Sequence, residues 1–120
     1  MSLLFSCASI FIVVSLFENF IISELSKNSF NQGRRPSFYF WRDKSGHEID
    51  LIIEKGQDLT PIEIKAGYTL NSDFFKNLDY WSKLTPCEQA YLVYCGNVTL
   101  PRRFTQVLNW ANLEAIKELS

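Results

Sequence analysis

Two alternating runs joined by a tight turn constrain this chain more than anything else in it. His47 to Glu54 reads HEIDLIIE, Lys55-Gly56-Gln57-Asp58 has turn chemistry, and Leu59 to Ala66 reads LTPIEIKA. Successive side chains of an extended strand face opposite ways. In the first run the alternation sets Glu48, Asp50 and Ile52 on one side and Ile49, Leu51 and Ile53 on the other. In the second, Ile62 and Ile64 share a side, Glu63 and Lys65 share the opposite one, and Pro61 falls near the start, where a missing N–H is tolerated. A chain with this hairpin must build a sheet and cover it.

The remaining segments supply partners and covers. Phe17, Phe20/Ile21 and Leu25 recur at helical spacing, predicting a helix from about 10 to 27 that stops before the polar stretch 28–36. Ser37 to Arg42 is strand-like and aromatic; Phe38, Tyr39, Phe40 and Trp41 could stack bases, but a strand this aromatic reads as core. Asp43-Lys44-Ser45-Gly46 is a hairpin turn. Ser72 can cap a helix through about Leu84, and Thr85-Pro86 stops it. Ala90 to Cys95 (AYLVYC) reads as a central strand, 103–109 as another strand, and 110–119 as a closing helix. The expected class is α/β (α+β): a mixed central sheet of about four to five strands flanked by helices.

At 120 residues the chain has room for one domain, 1–120. Its 10 Phe, 5 Tyr and 3 Trp rule out disorder, and a net charge of −1 excludes binding nucleic acid by bulk charge alone. No G-x-x-x-x-G-K-[ST] occurs, which removes a phosphate-loop enzyme. Three cysteines, Cys7, Cys87 and Cys95, form no C-x-x-C and point to free thiols in a reducing cytoplasm. The single histidine, His47, excludes two-histidine metal sites within one copy.

Leu3 to Phe17 is an uncharged run of 15 residues, short of the roughly 20 a membrane span needs. No Lys or Arg precedes Lys27, so a secretory signal lacks its basic start. The readings that stand are a buried strand or helix start, or a segment that packs on a preceding domain or on a second copy of the chain.

Two neighbouring strands, each with acids on one face, can bring Asp50 beside Glu63 at the strand spacing of about 4.8 Å. Two such carboxylates can share a hard divalent ion, Mg²⁺ or Mn²⁺, with waters completing the shell. Lys65, beside them, can orient or deprotonate an attacking water while the metal stabilises charge on a phosphate oxygen. The same I-E-I-K also fits a plain edge strand with one wet face, and E-x-K arises readily by chance.

Longer stretches narrow the choice. Leu16-Phe17-Glu18-Asn19-Phe20-Ile21-Ile22-Ser23-Glu24-Leu25, Phe40-Trp41-Arg42, Gly46-His47-Glu48-Ile49-Asp50-Leu51-Ile52, Pro61-Ile62-Glu63-Ile64-Lys65-Ala66-Gly67 and Val107-Leu108-Asn109-Trp110 together span most of the chain from residue 16 onward. They resemble the nuclease-like C-terminal domain of unknown function carried by many bacterial and archaeal AAA-type ATPases, of the PD-(D/E)XK or restriction-endonuclease-like superfamily. The resemblance implies a restriction-endonuclease-like sheet, Asp50 and Glu63 as metal ligands, Lys65 positioning the water, and Glu18 as the helix carboxylate that completes the site. Glu24 is a second candidate for that place, with an ordinary solvated glutamate as the alternative, and Glu48 is optional. Lys76-x-x-x-Tyr80 departs from the Gln-x-x-x-Tyr of RecB-like nucleases, and the ATPase domain that precedes the family's module is not in these 120 residues, as in a fragment, a truncated product or a stand-alone relic.

Charge is uneven. Lys27, Arg34, Arg35, Arg42 and Lys44 stand against one acid, Asp43, whereas Ser45 to Glu88 holds four basic residues and eight acids. Arg34, Arg35, Arg42 and Lys44 could form a rim for nucleic-acid phosphates around an acidic, metal-demanding centre, or simply a solvated surface. The expected function is a Mg²⁺-dependent nuclease-like domain in an AAA-type ATPase system. The alternative is a catalytically silent module that docks to an ATPase domain or self-associates through residues 3–17.

Overall fold

The computed structural model describes residues 3–85, 88–98, 101–102 and 104–119, and the side chains of all of these except 3–15, 101 and 102. The elements run α1 (Leu3–Asn31), β1 (Phe38–Arg42), β2 (Glu48–Lys55), β3 (Asp58–Lys65), a 3-10 turn (Ser72–Phe75), α2 (Lys76–Leu84), β4 (Ala90–Tyr94), β5 (Pro101–Arg102), β6 (Thr105–Asn109) and the short α3 (Glu114–Lys117).

One mixed sheet has the order β1-β2-β3-β4-β6-β5. The β1/β2, β2/β3 and β5/β6 pairs are antiparallel, and β3/β4 and β4/β6 are parallel. Five strands carry the sheet, and two-residue β5 trims its edge. The parallel step from β3 to β4 is made possible by α2, which crosses one face. The mixed, helix-flanked α/β class expected from the sequence is the one observed.

Two cores form, one per face. Ile21 and Leu25 of α1 and Ile116 of α3 pack on Leu51, Ile53, Ile62, Ile64, Tyr91, Val93 and Leu108. On the other face Leu78 and Trp81 of α2, with Phe75, pack on Ile49, Ile52, Ala90, Leu92, Tyr94 and Val107. Strand β4 is buried at every position, as AYLVY in mid-sheet requires.

Several boundaries differ from the sequence reading. Helix α1 runs to Asn31 rather than 27, because polar Ser29 is buried and the Asn28 amide donates to the Lys117 carbonyl of α3 at 3.0 Å. Gly33, at φ +74°, then ends it: its N–H reaches Phe30 O, and Arg34 N–H reaches Ser29 O. This left-handed cap is where a Cβ would be strained. The turn before α2 is capped by the Asn71 side chain, which accepts from Asp73 N–H, one residue earlier than the expected Ser72. The closing helix is a single turn, with Trp110 and Ala111 in a turn ahead of it.

The aromatic strand β1 is only half core. Phe38 and Trp41 pack against the two cores, but Tyr39 and Phe40 are 51% and 59% exposed, because β1 is a sheet edge and its pairing slips between Tyr39 and Trp41. Cys95 is free and half-buried; Cys7 and Cys87 lie outside the described side chains. Among the described residues no helix is long and apolar enough to cross a membrane.

Candidate functional site

The slip in β1 shapes its neighbour. Tyr39 pairs with Ile52 but Trp41 pairs with Ile49, so β2 carries an extra residue across that stretch. Such a bulge bends the strand and re-aims side chains. Ile49 and Ile52 accordingly point to the same core, and the strict alternation read from the sequence fails between them.

Regular pairing of β2 with β3 runs from Lys55 opposite Asp58 to Leu51 opposite Ile62, and there the side chains take over. The Asp50 N–H donates to Glu63 Oε1 at 3.1 Å, and the Ile64 N–H donates to Asp50 Oδ2 at 2.8 Å. Each strand's carboxylate thus satisfies the other's main chain, which buried amides demand. The second Glu63 oxygen, Oε2, lies 3.2 Å from Lys65 Nζ. Asp50, Glu63 and Lys65 are therefore gathered at one end of one hairpin.

Their electrostatics are strained in one direction. Glu63 is 1% exposed, and burial, reinforced by the charge of Asp50 and opposed by Lys65, pushes its carboxyl up to about 7. Burial likewise raises Asp50, against the stabilising Ile64 N–H. Glu18 of α1 is raised by burial first and by the charge of Asp50 second, while Lys65 lowers it, so the helix acid belongs to the same field. Arg42 bonds Glu48 at 3.1 Å, closing a group of four carboxylates against two cations.

Buried Glu63 and partly buried Asp50 offer carboxylate oxygens of the kind a hard divalent cation takes. Among the described residues no three His, Cys, Asp or Glu side chains are grouped to hold a metal by themselves. Mg²⁺ does not ask for that, since it usually keeps several waters and takes one or two carboxylates.

The other sequence candidates are dispersed. Glu24 pairs with Lys27 at 3.4 Å on α1. Lys44 is exposed in the β1–β2 turn. Arg34 and Arg35 line a small hollow with Ser37, Glu54 and Lys55, at the far end of β2 from Asp50. Arg42, by contrast, bonds Glu48 of the acidic group.

Two features went unread in the sequence. His47 stacks flat on Tyr80, with centroids 3.7 Å apart and planes 2° from parallel, and Asp43 Oδ1 accepts from the N–H groups of Ser45 and His47. This corner fixes the β1–β2 turn against α2. The other is a groove of about 470 Å³ beside Lys65, lined by Phe17, Phe20, Ala66, Tyr68, Cys95 and Trp110. Its signal was an aromatic just after the end of β3 and another just after β6.

A family model described as a domain of unknown function, DUF4143, matches residues 15–113. No curated protein and no solved structure matches the chain.

Proposed function

We propose, from the premise that the chain belongs to the DUF4143 family of domains of unknown function, that the open end of its β2/β3 hairpin is a metal-dependent phosphodiesterase site. The family is found on AAA-ATPase-associated proteins, and an accessory role beside an ATPase domain is the proposed setting. The resemblance to the PD-(D/E)XK superfamily supports this reading. The observation that carries it is the reciprocal bonding of Asp50 and Glu63 to each other's strands, with Lys65 Nζ 3.2 Å from Glu63 Oε2.

Asp50 and Glu63 would hold Mg²⁺ or Mn²⁺ through carboxylate oxygens. An ion held there would supply a coordinated water of lowered pKa and positive charge beside a phosphate oxygen. The chain does the positioning. Main-chain N–H groups clamp one oxygen of each carboxylate, so both acids are held without side-chain freedom. Lys65, 31% exposed at Nζ's end of the cluster, can donate to an attacking water or to a phosphate oxygen. Arg42, tethered by Glu48, presents a guanidinium to a flanking phosphate. Glu18 lies on the helix side of the cluster, where its carboxyl feels the charges of Asp50 and Lys65.

The test is cleavage of labelled single- and double-stranded DNA and RNA with Mg²⁺ or Mn²⁺, by the native chain and by Lys65→Ala. Cleavage that requires the metal and falls roughly 10²-fold in the variant supports the assignment. Cleavage that survives the substitution removes Lys65 from its role. Complete inertness of the native chain, with tight docking to an ATPase domain or to itself, would favour the silent interaction module; exposed Leu16 and Phe20 on α1 are the observation behind that reading.

A further inference from the structure

The groove beside Lys65 occupies a definite place in the fold. Strands β3, β4 and β6 are parallel, and the groove is floored by the residues that follow each of them: Ala66 and Tyr68, Cys95, and Trp110. The crevice outside the carboxyl ends of parallel strands is where open α/β sheets bind ligands. At about 470 Å³ it is the size of a small-molecule cleft. It is too small for a docked helix and large enough for one or two flat rings.

Its walls are aromatic and held. Tyr68 is 80% exposed, yet its backbone is pinned: Cys95 N–H donates to Gly67 O at 2.8 Å, and a Cβ on Gly96 would come within 2.5 Å of Tyr68 O. Only glycine lets the two loops approach that closely. Asn109 Nδ2 bonds Gly96 O at 2.6 Å and ties the same loop to β6. Trp110 is 41% exposed, its N–H bonds Tyr94 O at 2.9 Å, and its ring meets Phe20 edge-to-face at 5.9 Å. Large rings left in water on rigid backbone lose little freedom when something flat stacks on them.

The groove also neighbours the acidic cluster along two elements, since Lys65 and Glu18 act on one another electrostatically and each adjoins a lining residue. Ala66 follows Lys65 directly, and Phe17 precedes Glu18. An occupant would therefore have a flat, largely apolar part lying next to a part that meets carboxylates, a lysine and a divalent ion. A nucleotide has both parts, a base beside a phosphate.

We infer that the groove takes an unpaired nucleobase, stacked on Tyr68 and Trp110, from the nucleotide flanking the phosphate bound at Asp50, Glu63 and Lys65. The inference rests on the phosphodiesterase reading and deepens it: the substrate is single-stranded or frayed nucleic acid, because a base held in a closed duplex cannot reach the rings. Stacking of this kind is sequence-tolerant and shifts affinity by about tenfold for a single base.

The test is binding of an oligothymidylate and of a blunt hairpin duplex with equal phosphate number. Both are measured by anisotropy in Ca²⁺, an ion that takes the same oxygen ligands, with Trp emission followed in parallel. The single strand is expected to bind about tenfold more tightly and to quench emission. Tyr68→Ala and Trp110→Ala should each remove that preference while leaving duplex binding in place, and Tyr68→Phe should restore it. If both Ala variants bind the single strand as the native chain does, the base pocket is overturned while the phosphodiesterase site stands. If the native chain binds neither nucleic acid, the phosphodiesterase reading itself is overturned. A native dimer that Trp110→Ala turns into a monomer would instead make the groove a protein interface, and would also overturn the proposal.

Discussion

At the turn end of the β2/β3 hairpin, main chain pairs with main chain from Leu51 and Ile62 to Lys55 and Asp58, and the charged side chains look outward: Glu54, Lys55 and Asp58 are exposed, and Glu54 accepts from the exposed Tyr39 hydroxyl at 3.3 Å. At the open end the ladder gives way, and two carboxylates bond the main chain instead. Both ends contain acids and a lysine. The difference lies in who satisfies the backbone. A regular ladder leaves acids free to stay hydrated, whereas a breached ladder draws them inward, where their charge is costly without a cation.

The largest contrast is expected in chemistry. Asp50→Asn and Glu63→Gln should each lower metal-dependent cleavage by roughly 10³-fold, while Glu54→Gln leaves it unchanged. Thermal melts should show the first two folded and no less stable than the native chain, because each retains an acceptor and removes a buried repulsion. A melt lowered as much as activity would mean that the acids are merely structural.

Truncation separates backbone support from charge. Asp50→Ala strips the Ile64 N–H of its partner in a position that is 1% exposed, and should cost about 1–3 kcal/mol in denaturant unfolding. Glu54→Ala at the turn end should stay within about 0.5 kcal/mol. Gly96→Ala, which crowds Tyr68 O, should cost about 1–3 kcal/mol and disturb the aromatic groove rather than the turn.

Much of this comparison was visible in the amino-acid order, and its limits are instructive. The hairpin and the central strand AYLVY carry their period in a few consecutive residues, so both are legible locally. The meeting of Asp50, Glu63 and Lys65 followed from register alone. The bulge did not, because it arises from how β1 lies on β2 and no residue type announces it; it turned Ile49 and Ile52 to one face and left Phe40 outside. Helix α1 outran its predicted end because Asn28 finds the Lys117 carbonyl, 89 residues away. Gly33 was the stop signal available in the chain. Arg34 and Arg35 are near the acids in sequence, but they sit by Glu54 and Lys55, and β2 carries its two ends apart at about 3.3 Å per residue.

A gentler probe is pH. The raised Glu63 carboxyl holds its proton more tightly in the folded than in the unfolded chain, where the ordinary value is 4.5. Folding therefore takes up a proton between about 4.5 and 7, and stability should fall as pH rises through that window and level off above it. Asp50 and Glu18, also raised, add in the same sense. Denaturant midpoints across that range should show the decline in the native chain and a flatter line in Glu63→Gln. Divalent-ion affinity should climb over the same interval, since protons compete for the carboxylates.

The most direct measurement is a calorimetric titration of Mn²⁺ into the native chain, Asp50→Asn and Glu63→Gln at a pH above the Glu63 transition. A saturable Mn²⁺ site in the native chain that disappears in both variants is the predicted result. Heat of binding that persists in both variants, or no binding by the native chain, would contradict a cation site built from the breached ladder.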